Sequence, residues 1–392
     1  MTALLQGIRV LDLTNVLAGP YCGYQLALLG ADVIKVEAPG TGDLARQLGA
    51  SEPLNRAGMG VSFLAQNAGK RSIALDLKRD ADRVLFLDLV KTSDVLVENF
   101  RPGVMERLGL GHARLRGIKP DLVYCAISGF GQTGPLRDNP AYDQIIQGLS
   151  GVMSLTGTPE TAPLRVGYPV CDTLGGLAGA FAITAALLRR ARTGEGAFLD
   201  VSMLESTLSA LGWPVSNYLI AGVESPPMGN DNFTAAPSGA FRARDGLVNI
   251  AANKQEQFEA LCRVIGRPAL AQDPRFAGRE ARKANRRALN AAIEEALAAA
   301  TAGEWEARLN AAGVPAGRVL ALPQALAEPQ VAARDMMVRF ADVPGVEGPV
   351  TVVRGGFLVD GKAPRPGRPP PALDQDRAEI LRTLRGTKSE EG

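Results

Sequence analysis

Short apolar runs alternate with longer amphipathic ones through the first part of the chain. Ile8 to Leu13 is an apolar run of strand length, and Ala18 to Leu29 is a helical run opened by Gly19 and Pro20. Gly30 closes that helix, because glycine accepts the left-handed backbone of a helix end. Val33 to Val36, Ser72 to Leu77, Val95 to Glu98 and Leu122 to Ile127 are four further strand-like runs, with a helical stretch from Ala81 to Lys91 between the second and third of them. Strands alternating with helices predict an α/β fold with a parallel sheet covered on both faces. Thr173 to Leu188 reads as one long apolar helix, with Arg189 and Arg190 suiting its negative end. It is shorter than the roughly 20 residues that span a membrane, and Gly175, Gly176 and Gly179 mark it as a buried helix. The uncharged stretch from Leu13 to Ala31 is interrupted by Thr14, Asn15, Pro20 and Gln25.

The texture changes beyond Phe198 to Val201, which is a further strand. Pro226-Pro227 and Gly229-Asn230 break the alternation. Gly239 to Arg244 and Leu247 to Ala251 flank Asp245-Gly246 as a hairpin. Helices follow at Gln255 to Ile265, Ala284 to Ala300 and Glu304 to Ala312, the last with a Thr301/Glu304 capping box and a Gly313, Pro315 stop. The pattern predicts a large domain of residues 1–222 with a return over 326–392, and a small α+β domain over 223–325. The return holds Val350 to Val353, a Pro-rich extended stretch from Pro364 to Pro371 and a last helix from about Asp374.

Composition narrows the classes. The 392 residues are 46% apolar and 21% charged, which suits a sizeable core. Lys and Arg number 43 against 41 Asp and Glu, a net charge of +2 that favours neither nucleic acid nor a membrane surface as partner. Cys22, Cys125, Cys171 and Cys262 are scattered, with no CxxC pair, so neither a disulfide framework nor a metal site is expected. Free cysteines, and an N-terminus without a signal-peptide pattern, predict a cytoplasmic protein.

Candidate chemistry begins with exclusions. A nicotinamide site needs a GxGxxG turn after the first strand, and the turn here reads Thr14-Asn15-Val16-Leu17-Ala18-Gly19-Pro20, although Glu37 stands where a ribose-binding acid could. The sole histidine, His112, lies in a polar stretch, so a His-based triad or metal site would hang on one residue. Attention passes to carboxylates. Asp172 precedes the long apolar helix: it could be an N-cap, or a nucleophile kept ionised at a helix N-terminus, and the two are compatible. Gly175 and Gly176 would let a bulky ligand approach. Tyr142-Asp143 beside a turn, and Lys70-Arg71 opening a strand as a phosphate holder, are weaker candidates set against ordinary solvated charge.

Several segments together resemble the class III CoA-transferases, the formyl-CoA transferase and carnitine CoA-transferase group. They are Leu5 to Asp12, Leu28 to Glu37, Gly40-Thr41-Gly42-Asp43, Lys70 to Ile73 with Leu75-Asp76, Val97 to Gly103, and Ser128 to Pro135. The resemblance runs nearly the whole chain. It implies a Rossmann-like large domain, an interlocked homodimer, and acyl-CoA and a carboxylic acid as substrates, with no permanently bound cofactor. It implies that Asp172 is the nucleophile, carrying CoA as an aspartyl thioester, and that Asp143 supports it. Matching positions imply CoA contacts at Val16, Ala18, Leu75, Asn99, Phe100 and Arg107, to which charge adds Arg71. Departures stand at Ala38, Pro140 and Leu48, where relatives carry a basic residue, a lysine and an oxalate-pocket tryptophan. The glycine-run loop that shields their intermediate is not visible here; Met228 to Asn232 stands near that region. Formyl-CoA with oxalate is therefore not the expected pair, and succinyl-CoA with a dicarboxylate is the usual currency. Arg46 could face such a carboxylate. The alternatives are a 2-methylacyl-CoA racemase, which needs a His near Tyr142-Asp143, a non-catalytic acyl-CoA-binding protein, and a nicotinamide dehydrogenase.

Overall fold

The computed structural model describes residues 3–390. Six strands form one parallel sheet: β1 (Arg9–Asp12), β2 (Asp32–Glu37), β3 (Lys70–Ala74), β4 (Val95–Glu98), β5 (Val123–Ser128) and β6 (Ala197–Ser202). Their spatial order is β3-β2-β1-β4-β5-β6, the doubly wound order of dinucleotide-binding folds. The central strands read as continuous apolar runs because both faces are covered. Successive side chains point opposite ways. Val10, Val33, Val95 and Val123 therefore enter one core, while Leu11, Ile34, Leu96 and Tyr124 enter the other. Val10 of β1 pairs with Val33 on one side and Val95 on the other, fixing the register at the centre.

The third strand begins at Lys70, two residues before the run predicted from apolar pattern, because both opening cations are buried in ion pairs. As the sheet edge, β3 leaves outward backbone groups that would otherwise template further strands. The end of the chain covers them. Gly69 N–H donates to the Arg368 carbonyl at 2.8 Å. Ser72 N–H donates to Asp376 Oδ2 at 2.8 Å and Ala74 N–H to Asp374 Oδ1 at 2.7 Å. The last helix, Arg377–Glu390, then adds Ile380 and Leu384 to the core on one face.

Four helices matter for the site. They are α1 (Ala18–Leu28), α2 (Asp143–Leu149), α3 (Val170–Thr193) and α4 (Met203–Ala210). Helix α3 has 24 residues and is the one described helix long and apolar enough to cross a membrane by length and composition. Cys171, Gly176, Ile183 and Leu187 on it are buried in the core shared with α1 and the sheet. The glycines serve that packing rather than ligand access. A methyl group on Gly176 would lie 2.5 Å from the Ala18 carbonyl oxygen, and one on Gly175 would lie 2.9 Å from Met203 Cγ.

The chain divides into two compact units. The first comprises Met1–Val152, Arg165–Ser216 and Ala332–Gly392, and the second Met153–Leu164 and Asn217–Val331. The second unit thus takes Met153–Leu164, which the sequence reading left in the large domain. The first unit also carries an antiparallel pair, β10 (Met337–Phe340) and β11 (Val350–Val353). The second unit is built on β7 (Ser238–Arg242), β8 (Leu247–Ala251) and β9 (Ala316–Arg318), an antiparallel sheet backed by helices. Its core gathers Phe241, Phe258, Leu289 and Trp305. The Thr301/Glu304 capping box is present, with Thr301 N–H donating to Glu304 Oε2 at 2.8 Å.

Candidate active site

Asp172 is the third residue of α3, and Pro169 occupies the N-cap. The N-cap expected of Asp172 is supplied from elsewhere. Asp143, the first residue of α2 and buried, turns Oδ1 to the N–H groups of Cys171 at 2.8 Å and Asp172 at 3.3 Å. Its Oδ2 accepts from Gln147 Nε2 at 2.6 Å. Gln147 is itself fully buried, donates to the Tyr168 carbonyl at 3.3 Å and accepts from Val166 N–H at 2.9 Å. One amide thus ties α2 to the segment leading into α3.

A borrowed cap leaves the Asp172 carboxylate free. Among the described residues it receives no hydrogen bond and no ion pair. Burial first, and the negative charge of Asp143 second, push its pKa up to about 7. The positive end of the α3 dipole opposes this without reversing it.

Asp172 faces a cleft of about 220 Å³ at the carboxyl ends of the strands. The segments after β1 (Asn15, Val16, Ala18), after β4 (Asn99, Phe100) and after β5 (Ser128, Gly129) line it. Strands β1 and β4 are where the order reverses, and open α/β sheets bind ligands at that switch point. The reversal is bridged by one side chain. Asn99 Oδ1 accepts from Asn15 N–H, and Asn99 Nδ2 donates to the Asn15 carbonyl, both at 2.8 Å. Arg101 and Arg137, both exposed, also line the cleft and make it cationic. Val16 adopts φ +68°, a left-handed conformation that is costly for a β-branched residue.

Of the predicted CoA contacts, Val16, Ala18, Asn99 and Phe100 share this cleft with Asp172. Leu75 is buried just past the carboxyl end of β3, and Arg107 is exposed at the end of the Val104–Arg107 helix; neither lines the cleft. Arg71 is corrected. It opens β3 at the opposite end of the sheet, with its guanidinium on Asp32 at 2.9 Å and Glu379 at 3.2 Å. Lys70 is likewise no exposed phosphate holder, being fully buried against Asp12 at 2.7 Å. Arg46 lies outside the Asp172 cleft. It grips Glu37 with two bonds of 2.8 Å and lies over the Phe63 ring. That pair also occupies the acid a nicotinamide ribose would need. His112 packs on Tyr124 and Phe198 and lines a different cavity, so the racemase pairing of His with Asp172 is absent.

The sequence reading missed Gln147, Arg101 and Arg137. Gln147 had a signal: it lies four residues after Asp143 on one helix, where side chains meet.

CoA-transferase family III matches residues 5–377. An acetyl-CoA:oxalate CoA-transferase of Acetobacter aceti is 43% identical over 95% of this chain and 94% of its own length. A succinate–glutarate CoA-transferase of Agrobacterium fabrum is 38% identical over 97% and 95%. The crystal structure of a CaiB/BaiF family protein from Brucella suis superposes with a TM-score of 0.85 at 37% identity, covering 98% of this chain and all of that one. The chain belongs to CoA-transferase family III. It is an enzyme that transfers CoA between an acyl-CoA thioester and a carboxylic acid.

Proposed function

We propose that Asp172 is the nucleophile and that the cleft at the β1/β4 switch point binds the acyl-CoA. The observation that carries this is a part-buried carboxylate that faces the cleft and has, among the described residues, neither hydrogen bond nor counter-ion. The Asp172 carboxylate attacks the thioester carbonyl, and CoA leaves as thiolate, giving a mixed anhydride. The thiolate attacks the aspartyl carbonyl, the donor acid leaves, and CoA is held as a thioester of Asp172. The acceptor carboxylate attacks that thioester and expels the thiolate, forming a second anhydride. Thiolate attack on the acceptor carbonyl releases the new acyl-CoA and restores Asp172. Activation is conserved throughout. No step needs a proton donor, in keeping with a lone His112 outside the cleft. Both intermediates hydrolyse in water, so the partly buried position of Asp172 is protective.

Val16, Ala18, Asn99 and Phe100 contact CoA in this reading, with Leu75 and Arg107 further along its length. Arg101 and Arg137 face its phosphates or the acid. The acceptor is a small dicarboxylate and the donor succinyl-CoA or acetyl-CoA, the pairs carried by relatives named for oxalate, glutarate and mesaconate. The enzyme works as a cytoplasmic homodimer. Supporting this, α3 turns Leu177, Phe181 and Leu188 outward at 43%, 77% and 55% exposure, an apolar stripe that a second copy would cover. Borohydride trapping during turnover with succinyl-CoA and acetyl-CoA, followed by peptide mass spectrometry, tests the nucleophile. Reduction at residue 172 that depends on donor is expected. Protein that binds CoA yet shows no modification with either donor would sink the covalent route.

A further inference from the structure

Five consecutive backbone polar groups after β1 are each held by a side chain from outside the loop. Thr14 N–H donates to Asp12 Oδ1 at 2.9 Å, and the Thr14 carbonyl accepts from Lys35 Nζ at 2.8 Å. Asn15 N–H and carbonyl are both taken by Asn99. Val16 N–H donates to Asp43 Oδ1 at 2.9 Å. Asp43 is fixed in turn: Oδ1 also accepts from Ala45 N–H at 2.9 Å, and Oδ2 lies 2.9 Å from Lys35 Nζ, with both side chains fully buried. Asp12, Lys70 and Glu37 complete the surrounding charges, Lys70 on Asp12 and Glu37 on Asp43 N–H at 3.0 Å.

A loop needing only a turn would not require this many ionised groups. What they hold is Val16 at φ +68°, a residue type that avoids that conformation, on the wall of the cleft. We infer that Asp43 is a positioning residue for acyl-CoA binding, holding the strained Val16 loop, with Lys35, in the one shape that seats the ligand. The clamp pre-organises the wall, so the ligand does not have to order it on binding. The inference rests on the reading of the cleft as the acyl-CoA site.

The test is calorimetric binding of CoA and succinyl-CoA to the full chain, with steady-state kinetics alongside. Asp43→Ala is expected to weaken binding about tenfold, with kcat at saturating donor changed less than about threefold. Asp43→Asn, whose amide oxygen still accepts from Val16 N–H, is expected to retain most of the affinity. Val16→Gly added to Asp43→Ala is expected to recover much of the loss, because glycine takes positive φ without support. If Asp43→Ala does not fold, Asp43→Leu with Lys35→Met removes the two charges together, and the same loss and the same rescue are expected. Unchanged affinity in the clamp-free variant, or no recovery with Val16→Gly, overturns the inference while the cleft reading stands. Wild-type protein that binds neither ligand overturns the cleft reading and this inference with it.

Discussion

Two regions of the large unit bury carboxylates and treat them in opposite ways. Beneath the first loop, Asp12, Glu37 and Asp43 meet Lys35, Arg46 and Lys70. Burial alone would raise the pKa of all three acids. The neighbouring cations outweigh it, helped at Glu37 by the Arg46 hydrogen bond and at Asp43 by backbone N–H groups, and hold all three below the usual carboxylate range. At the start of α3, Asp172 is partly buried with another carboxylate beside it and, among the described residues, no ion-paired cation. Where the fold compensates a buried charge, that charge fixes backbone. Where it leaves one uncompensated in a cleft, the group is available for chemistry.

The contrast can be broken most severely at the nucleophile. Asp172→Asn should lower turnover at least ~10³-fold while CoA still binds, as single-turnover kinetics and calorimetry would read. Next in size is the compensated cluster. Glu37→Gln leaves Arg46 buried without its partner and should cost about 3 kcal/mol in denaturant unfolding. A smaller effect, of opposite sign, separates the regions by pH. The folded pKa of Asp172, about 7, stands above its ordinary value, so its contribution to stability is complete in acid and is lost as pH rises through 7. Asp172→Asn should therefore match wild type in stability near pH 4 and exceed it by roughly 2 kcal/mol at pH 8, after discounting for partial exposure. For the same reason wild-type kcat/KM should rise as pH passes through 7. Gln147→Leu should reduce kcat about tenfold by loosening the borrowed cap, with the KM for acyl-CoA nearly unchanged. Smallest of all, Arg71→Ala should cost about 1 kcal/mol or less in stability and leave acyl-CoA binding as it was. A raised KM there would return Arg71 to the site.

The elements were largely legible, because period-2 and period-3.6 apolar patterns report which faces are covered. The long helix was readable in type but began three residues early and ended five late, since Val170 and the run to Thr193 carry mixed polarity. Asp172 and Asp143 stood out as candidates in the local pattern, and the family resemblance supplied their roles. What each does to the other was not legible, because an acid at the head of an apolar helix reads as that helix's own cap. The burial of Lys70 and Arg46 was invisible for a simpler reason. Their partners lie 58 and 9 residues away, and a charged residue reads as exposed until its counter-charge is located. The left-handed Val16 left no mark at all, since valine is the wrong residue for the conformation it adopts.

The seal on the sheet edge has a consequence for how the chain is made. Ser72 finds its carboxylate partner 304 residues later, and Ala74 its partner 300 residues later. At ordinary elongation rates of 5–20 residues per second, that strand edge stands open for about 15–60 s on the ribosome. Until residues 374–376 are made, the nascent protein therefore displays a strand edge able to pair with a neighbouring chain.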